Sequence, residues 1–105
     1  IRQPDFVTPA VFDWAVEECR RKKPEVDVSA AQFSVLEEGL CVQRMHIGPY
    51  ADEPATIADL HRFMAEQGLV DCTGRERRHH EIYLSDPRRT DPSRLRTILR
   101  LPVAE

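Results

Sequence analysis

At 105 residues, with 41% hydrophobic and 31% charged residues, the chain has the composition of one soluble globular domain and not of a disordered segment. Its formal net charge of −3 lacks the cationic excess that direct nucleic-acid binding draws on. No apolar run approaches the ~18 residues needed to cross a bilayer, so no membrane association is expected. Three cysteines, Cys19, Cys41 and Cys72, make an odd number at irregular spacing. That argues against a disulfide framework and for a reducing, cytoplasmic setting. Cys72 with His79 and His80 fits no zinc spacing, and neither a metal nor an organic cofactor is expected. The arginines at 75, 77, 78, 88 and 89 are interleaved with acids and read as a solvated surface.

In chain order, Ile1–Gln3 reads as a weak strand. Thr8-Pro9 then supplies a hydroxyl N-cap followed by proline at the first helical position. Val11, Phe12, Ala15, Val16 and Cys19 recur at helical spacing, Arg20–Lys23 place positive charge at the helix end, and Pro24 stops it. Trp14 falls off this stripe. Gln32–Leu36 and Leu40–Ile47 read as two strands of a hairpin turning at Glu37-Glu38-Gly39. Gly48-Pro49 ends the second strand, and Pro54 opens a helix with Ile57, Leu60, His61 and Met64 inward and Phe63 beside them. Gly68 is placed to close that helix in the left-handed region. Residues 69–78 are polar and irregular, His80–Leu84 alternates as a strand, and Asp91-Pro92 starts a short helix with Leu95, Ile98 and Leu99 inward. Leu101–Ala104 is expected as a closing edge strand. Helices interspersed with hairpin strands imply an α+β domain, an antiparallel sheet with helices packed on one face.

His80-Glu81-Ile82-Tyr83-Leu84 carries the main functional expectation. Alternation puts Glu81 and Tyr83 on one face and Ile82 and Leu84 on the other. With Ile82 and Leu84 toward the core, the acid and the phenol share the uncovered face, suited to a cationic or polarised organic molecule. The bland alternative is an exposed carboxylate paired with Arg44 or His80 across a strand. As a general base, Glu81 needs a carboxyl raised by burial. Tyr50 either fixes the turn after Gly48-Pro49 or contacts a ligand. Trp14, Phe33 and Met45 are core residues or pocket walls, and His46 and His80 are structural or proton-transfer groups. Cys41 has no evident base and is not expected to be a nucleophile.

Two segments resemble a known family. His46-Ile47-Gly48-Pro49-Tyr50, followed by acidic residues and a helix, resembles the hallmark of GyrI-like small-molecule-binding domains. His80-Glu81-Ile82-Tyr83-Leu84-Ser85-Asp86-Pro87-Arg88-Arg89 resembles the strand carrying that family's ligand-facing glutamate, and Leu95–Val103 fits one of its branches. The resemblance covers residues 1–105 as a single half-domain, the C-terminal half of a duplicated α+β architecture. It implies that Glu81 meets the ligand, with Tyr83 and Tyr50 near the pocket. It also implies that self-association or a missing N-terminal half-domain supplies the other wall. The branch most similar to this chain hydrolyses strained cyclopropane-containing genotoxins without a cofactor. The resemblance therefore points to binding of hydrophobic, often cationic or electrophilic molecules, with Glu81 activating water and Tyr83 steadying an oxygen. The alternative it implies is a non-enzymatic effector-sensing or gyrase-inhibiting module.

Overall fold

A computed structural model describes all residues, Ile1–Glu105, as two compact units, Ile1–Leu36 and Glu37–Glu105. In the first, helix α1 spans Pro9–Lys22; the Thr8 side chain accepts from the Val11 amide at 3.3 Å, and Arg20, Arg21 and Lys22 occupy the last turn. These are the signals expected of the sequence, and the last-turn cations favour the negative end of the helix dipole. Phe12 stacks on Phe33 with centroids 5.7 Å apart. No residue of α1 is fully buried, and Trp14 is exposed. Ile1–Gln3 and Gln32–Leu36 form no strands.

The second unit is built on one long strand. Strands β1 (Cys41–Ile47), β2 (Val70–Asp71), β3 (His80–Tyr83) and β4 (Arg96–Ala104) make an antiparallel sheet in which β4 pairs with all three others. β1 runs along one edge of β4, while β3 and β2 follow each other along the opposite edge. The α+β class with an antiparallel sheet is thus as expected. The hairpin is not. β1 takes its partner from the C-terminus, Cys41 opposite Pro102 through Ile47 opposite Arg96. The last expected helix is also replaced. Asp91-Pro92 starts only a 3-10 turn, Pro92–Arg94, and the chain then extends. The reason is legible in burial: Thr97, Leu99, Leu101 and Val103 are buried at every second position, a strand period that overrides the helical spacing of Leu95, Ile98 and Leu99.

Helix α2, Glu53–Gln67, lies on β1 and β2 and buries Leu60 and Met64. Gly68 closes it at φ 67°, the left-handed cap the sequence indicates. Val42, Leu60, Met64, Leu99, Leu101 and Val103 form the core, with Ile57 and Leu69 packed against it. Leu99 is completely buried, so truncation to alanine costs about 3 kcal/mol. His61 is exposed and approaches Asp71 at 3.3 Å instead of packing inward.

Directly opposed residues of an antiparallel pair share a face. Arg44, Leu99 and Glu81 therefore form one row, and His46, Thr97 and Tyr83 the next, both on the side of the core and α2. Met45, Ile98 and Ile82 lie on the other side. This reverses the expected orientation of β3: Ile82 and Leu84 do not face the core, and Glu81 and Tyr83 stand on the helix side of the sheet. They remain accessible because α2 covers β1 and β2, leaving β3 open.

Candidate functional site

Three elements of the second unit converge at this open edge. β3 contributes Glu81 and Tyr83, and His79 precedes it. The turn Tyr50–Asp52 and the first residue of α2 contribute Tyr50 and Glu53. The turn owes its path to Gly48, whose φ of 130° disfavours any side chain, and whose amide donates to the Leu95 carbonyl at 2.9 Å. Beneath it lies His46, 5% exposed. Its Nε2 meets the Pro49 carbonyl at 2.9 Å and its Nδ1 meets Thr56 Oγ1 at 2.8 Å. A carbonyl only accepts, so Nε2 carries a proton; in the neutral ring Nδ1 then accepts from the Thr56 hydroxyl. One imidazole thus ties β1 to both the turn and the first turns of α2. His46 holds the site in shape.

At the site itself, the Tyr83 hydroxyl donates to Glu81 Oε2 at 2.5 Å, and His79 Nε2 lies 3.2 Å from Glu81 Oε1. The Tyr50 and Tyr83 rings meet edge to face, centroids 5.7 Å apart at 71°, a preferred aromatic geometry. Glu81 is not paired with Arg44, which reaches Asp59 at 2.7 Å, nor with His80, which faces Glu38 at 3.4 Å.

The two carboxyls are driven apart. The hydrogen bond from Tyr83, aided by His79, holds Glu81 below the ordinary glutamate range against a smaller opposing effect of burial. The same bond pushes the Tyr83 phenol up to about 12, so it remains a donor at neutral pH. Glu53 moves the other way: burial raises its carboxyl first, and the negative charge of Glu81 adds to this. Its Oε1 is buried without a hydrogen-bond partner. An orphaned buried acceptor beside an open sheet edge is unusual in a folded protein. Thr97 Oγ1, in the row beneath Tyr83, is a second such atom. A raised Glu81, as a conventional general base requires, is therefore not what the geometry produces. The raised acid is Glu53.

Of the residues singled out in the sequence, the structure brings together Glu81, Tyr83 and Tyr50. Met45 lies on the other face of the sheet, opposite Ile98. Phe33 packs on Phe12, and it and Trp14 belong to the N-terminal unit. Glu53 and His79 were missed. Glu53 reads locally as an ordinary acid in a helix's first turn, where negative charge is common; only the pairing of β3 with β4 brings Glu81 near it. No group of His, Cys, Asp and Glu side chains is arranged to hold a metal.

An open sheet edge with two mutually repelling carboxyls, two aromatic rings and a shaped turn suits a domain that binds a small molecule. The chain belongs to the family of GyrI-like small-molecule-binding domains, whose pattern matches residues 8–104. It is similar to a crystal structure of an uncharacterised conserved protein from Listeria innocua, with 55% identity and a TM-score of 0.93 over 98% of this chain and 50% of that one. It is also similar to a hydrolase from Listeria innocua, with 53% identity and a TM-score of 0.89 over 98% of this chain and 52% of that one. The chain thus spans about half the length of these solved structures. No curated protein matches it. No helix is long and apolar enough to cross a membrane.

Proposed function

We propose that this protein binds hydrophobic, electrophilic or cationic small molecules against β3 and adds water to a strained ring within them. The carrying observation is the divergence of two neighbouring carboxyls: Glu81 ionised under the Tyr83 hydroxyl, Glu53 raised and unpaired. Carboxyl pairs whose environments push them apart are the usual means of running base and acid together. The similarity to a Listeria innocua hydrolase supports a reaction of this class.

In the reaction proposed, a water held by Glu81 attacks a ring carbon of a cyclopropane conjugated to a carbonyl. Glu81 takes the water proton as the new C–O bond forms. The ring C–C bond breaks, and its electron pair passes through the conjugated system to the carbonyl oxygen. Glu53 delivers a proton to that oxygen. The sum is one molecule of water added, and solvent resets the two carboxyls. Tyr83 orients Glu81 and lowers its charge density, while the Tyr50 ring walls the electrophile. Because the solved relatives are twice as long, a second half-domain or a second copy supplies the opposite wall.

The test is incubation of the protein with an activated cyclopropane of this type, following the hydrated, ring-opened product. Turnover that collapses in Glu81→Gln, with the melting temperature retained, supports the reading. Saturable binding without product at any time rejects hydrolysis and leaves a binding or effector-sensing domain.

A further inference from the structure

The opposite face of β3 leads to a second recess, lined by Ile47, Leu84, Ser85, Arg89, Arg94 and Arg96 together with Thr90, Asp91 and Ser93. Its floor is a cross-strand row. Ile47 pairs with Arg96, and the Leu84 amide donates to the Arg96 carbonyl at 3.0 Å, so Ile47 and Leu84 flank Arg96. Both aliphatic side chains are more than half exposed, at 64% and 52%. Its lining is cationic. Arg89, Arg94 and Arg96 form no ion pair and no side-chain hydrogen bond, in contrast to Arg88, which binds Asp86 through two contacts of 3.0 Å. The one acid in the recess, Asp91, is taken up by its own turn, accepting from the Ser93 amide at 2.9 Å and from the Ser93 hydroxyl. Ser85 Oγ accepts from the Arg96 amide at 3.1 Å, which leaves its own hydrogen to donate.

Three guanidiniums against one engaged carboxylate is a local cationic excess in a chain whose net charge is −3. Like charges held around one recess repel, and an oxyanion between them removes that cost. Guanidinium forks match the two-oxygen edge of a phosphate or carboxylate. The exposed Ile47 and Leu84 have no use for a bare ion but suit a short hydrocarbon portion. We infer that this recess is a second binding site, taking a small organic anion: a phosphate monoester or carboxylate carrying a short aryl or alkyl group. The arginines and the Ser85 hydroxyl hold the oxyanion, while Ile47 and Leu84 cover the apolar portion. This site does not depend on the reaction proposed for Glu81, which projects from the other face.

Calorimetric titration of the intact protein with phenyl phosphate, benzoate and inorganic phosphate tests it. Phenyl phosphate or benzoate is expected to saturate at one site, with affinity falling as salt rises. Arg94→Gln and Arg96→Gln should each weaken it by about tenfold, the loss of one charge-assisted contact. Ile47→Ser should weaken phenyl phosphate and leave inorganic phosphate unchanged, and Glu81→Gln should alter neither. The inference is overturned if neither organic probe saturates, if inorganic phosphate binds as tightly as phenyl phosphate, or if the arginine variants bind like the parent.

Discussion

The Tyr83 hydroxyl donates to Glu81 Oε2 at 2.5 Å, two residues along the same strand and on the same face. This bond sets the charge state of the open edge, because it is the largest influence lowering the Glu81 carboxyl. Tyr83→Phe keeps the ring, and with it the contact to Tyr50, but removes the donor. Glu81 is then expected to rise toward its usual value, with burial opposing what His79 still lowers. In a pH–rate profile, the acidic limb should move to higher pH while the plateau is retained. Stability should change by no more than about 1 kcal/mol, since the pair is exposed. An unmoved acidic limb in Tyr83→Phe would remove Glu81 from the role of base.

Glu53 predicts an opposite sign. A carboxyl raised on folding contributes its stability while protonated, and that contribution is lost as pH climbs through the raised value. Above that value the folded protein carries a disfavoured, partly buried charge. Glu53→Gln should raise the melting temperature at neutral pH, by a gain of roughly 1 kcal/mol, and this gain should shrink toward acidic pH. The same change should abolish the basic limb of the pH–rate profile and lower turnover. A stabilised but slower variant is the expected compromise between folding and function. A Glu53→Gln protein that is less stable at neutral pH would contradict the raised carboxyl.

Much of this arrangement is legible in the sequence, and the remainder fails for identifiable reasons. Caps and stops are local, so Thr8-Pro9 and Gly68 mark the helices correctly. Alternation of Glu81 and Tyr83 is local too, and they do share a face. Which face is not local: it follows from the register of Tyr83 opposite Thr97 and Glu81 opposite Leu99, set by a strand fifteen or so residues further on. Leu95, Ile98 and Leu99, at and just before its start, have a spacing compatible with a helix until Leu101 and Val103 are counted with them. The same long-range pairing captures β1, so the Gly39 turn never closes a hairpin. Glu53 was invisible because nothing near it in sequence distinguishes a buried, raised carboxyl from an ordinary first-turn glutamate.

His46 gives a prediction about the turn. Thr56→Val preserves shape but removes the hydroxyl facing Nδ1, leaving a buried ring nitrogen unpartnered. A loss of about 1–2 kcal/mol in urea unfolding is expected. Tyr50 and Glu53 flank the same turn, so ligand affinity should fall beyond what reduced stability explains, and Thr56→Ser should restore both. If Thr56→Val weakens the fold and leaves affinity intact, His46 supports structure only.

Arg77 offers a test of what closes the sheet. It belongs to the segment read as irregular, yet its guanidinium donates to the carbonyls of Glu38, Leu40 and Val103, at 2.6, 2.5 and 3.0 Å for the closest contact to each. These carbonyls flank the start of β1 and the end of β4, where the Val103 amide also donates to Leu40 at 2.9 Å. No local turn joins those two strands, so this cation replaces the hairpin connection that the sequence suggested. Arg77→Gln shortens the reach and loses the charge, at a cost of roughly 2–3 kcal/mol because hydrogen bonds to charged groups exceed neutral ones. Arg78, exposed and unbonded one residue later, is the internal control: Arg78→Gln should shift the urea midpoint negligibly. Amide exchange of Val103 should accelerate in Arg77→Gln and not in Arg78→Gln. Equal effects at the two positions would mean that net charge, and not the three carbonyl contacts, accounts for the loss.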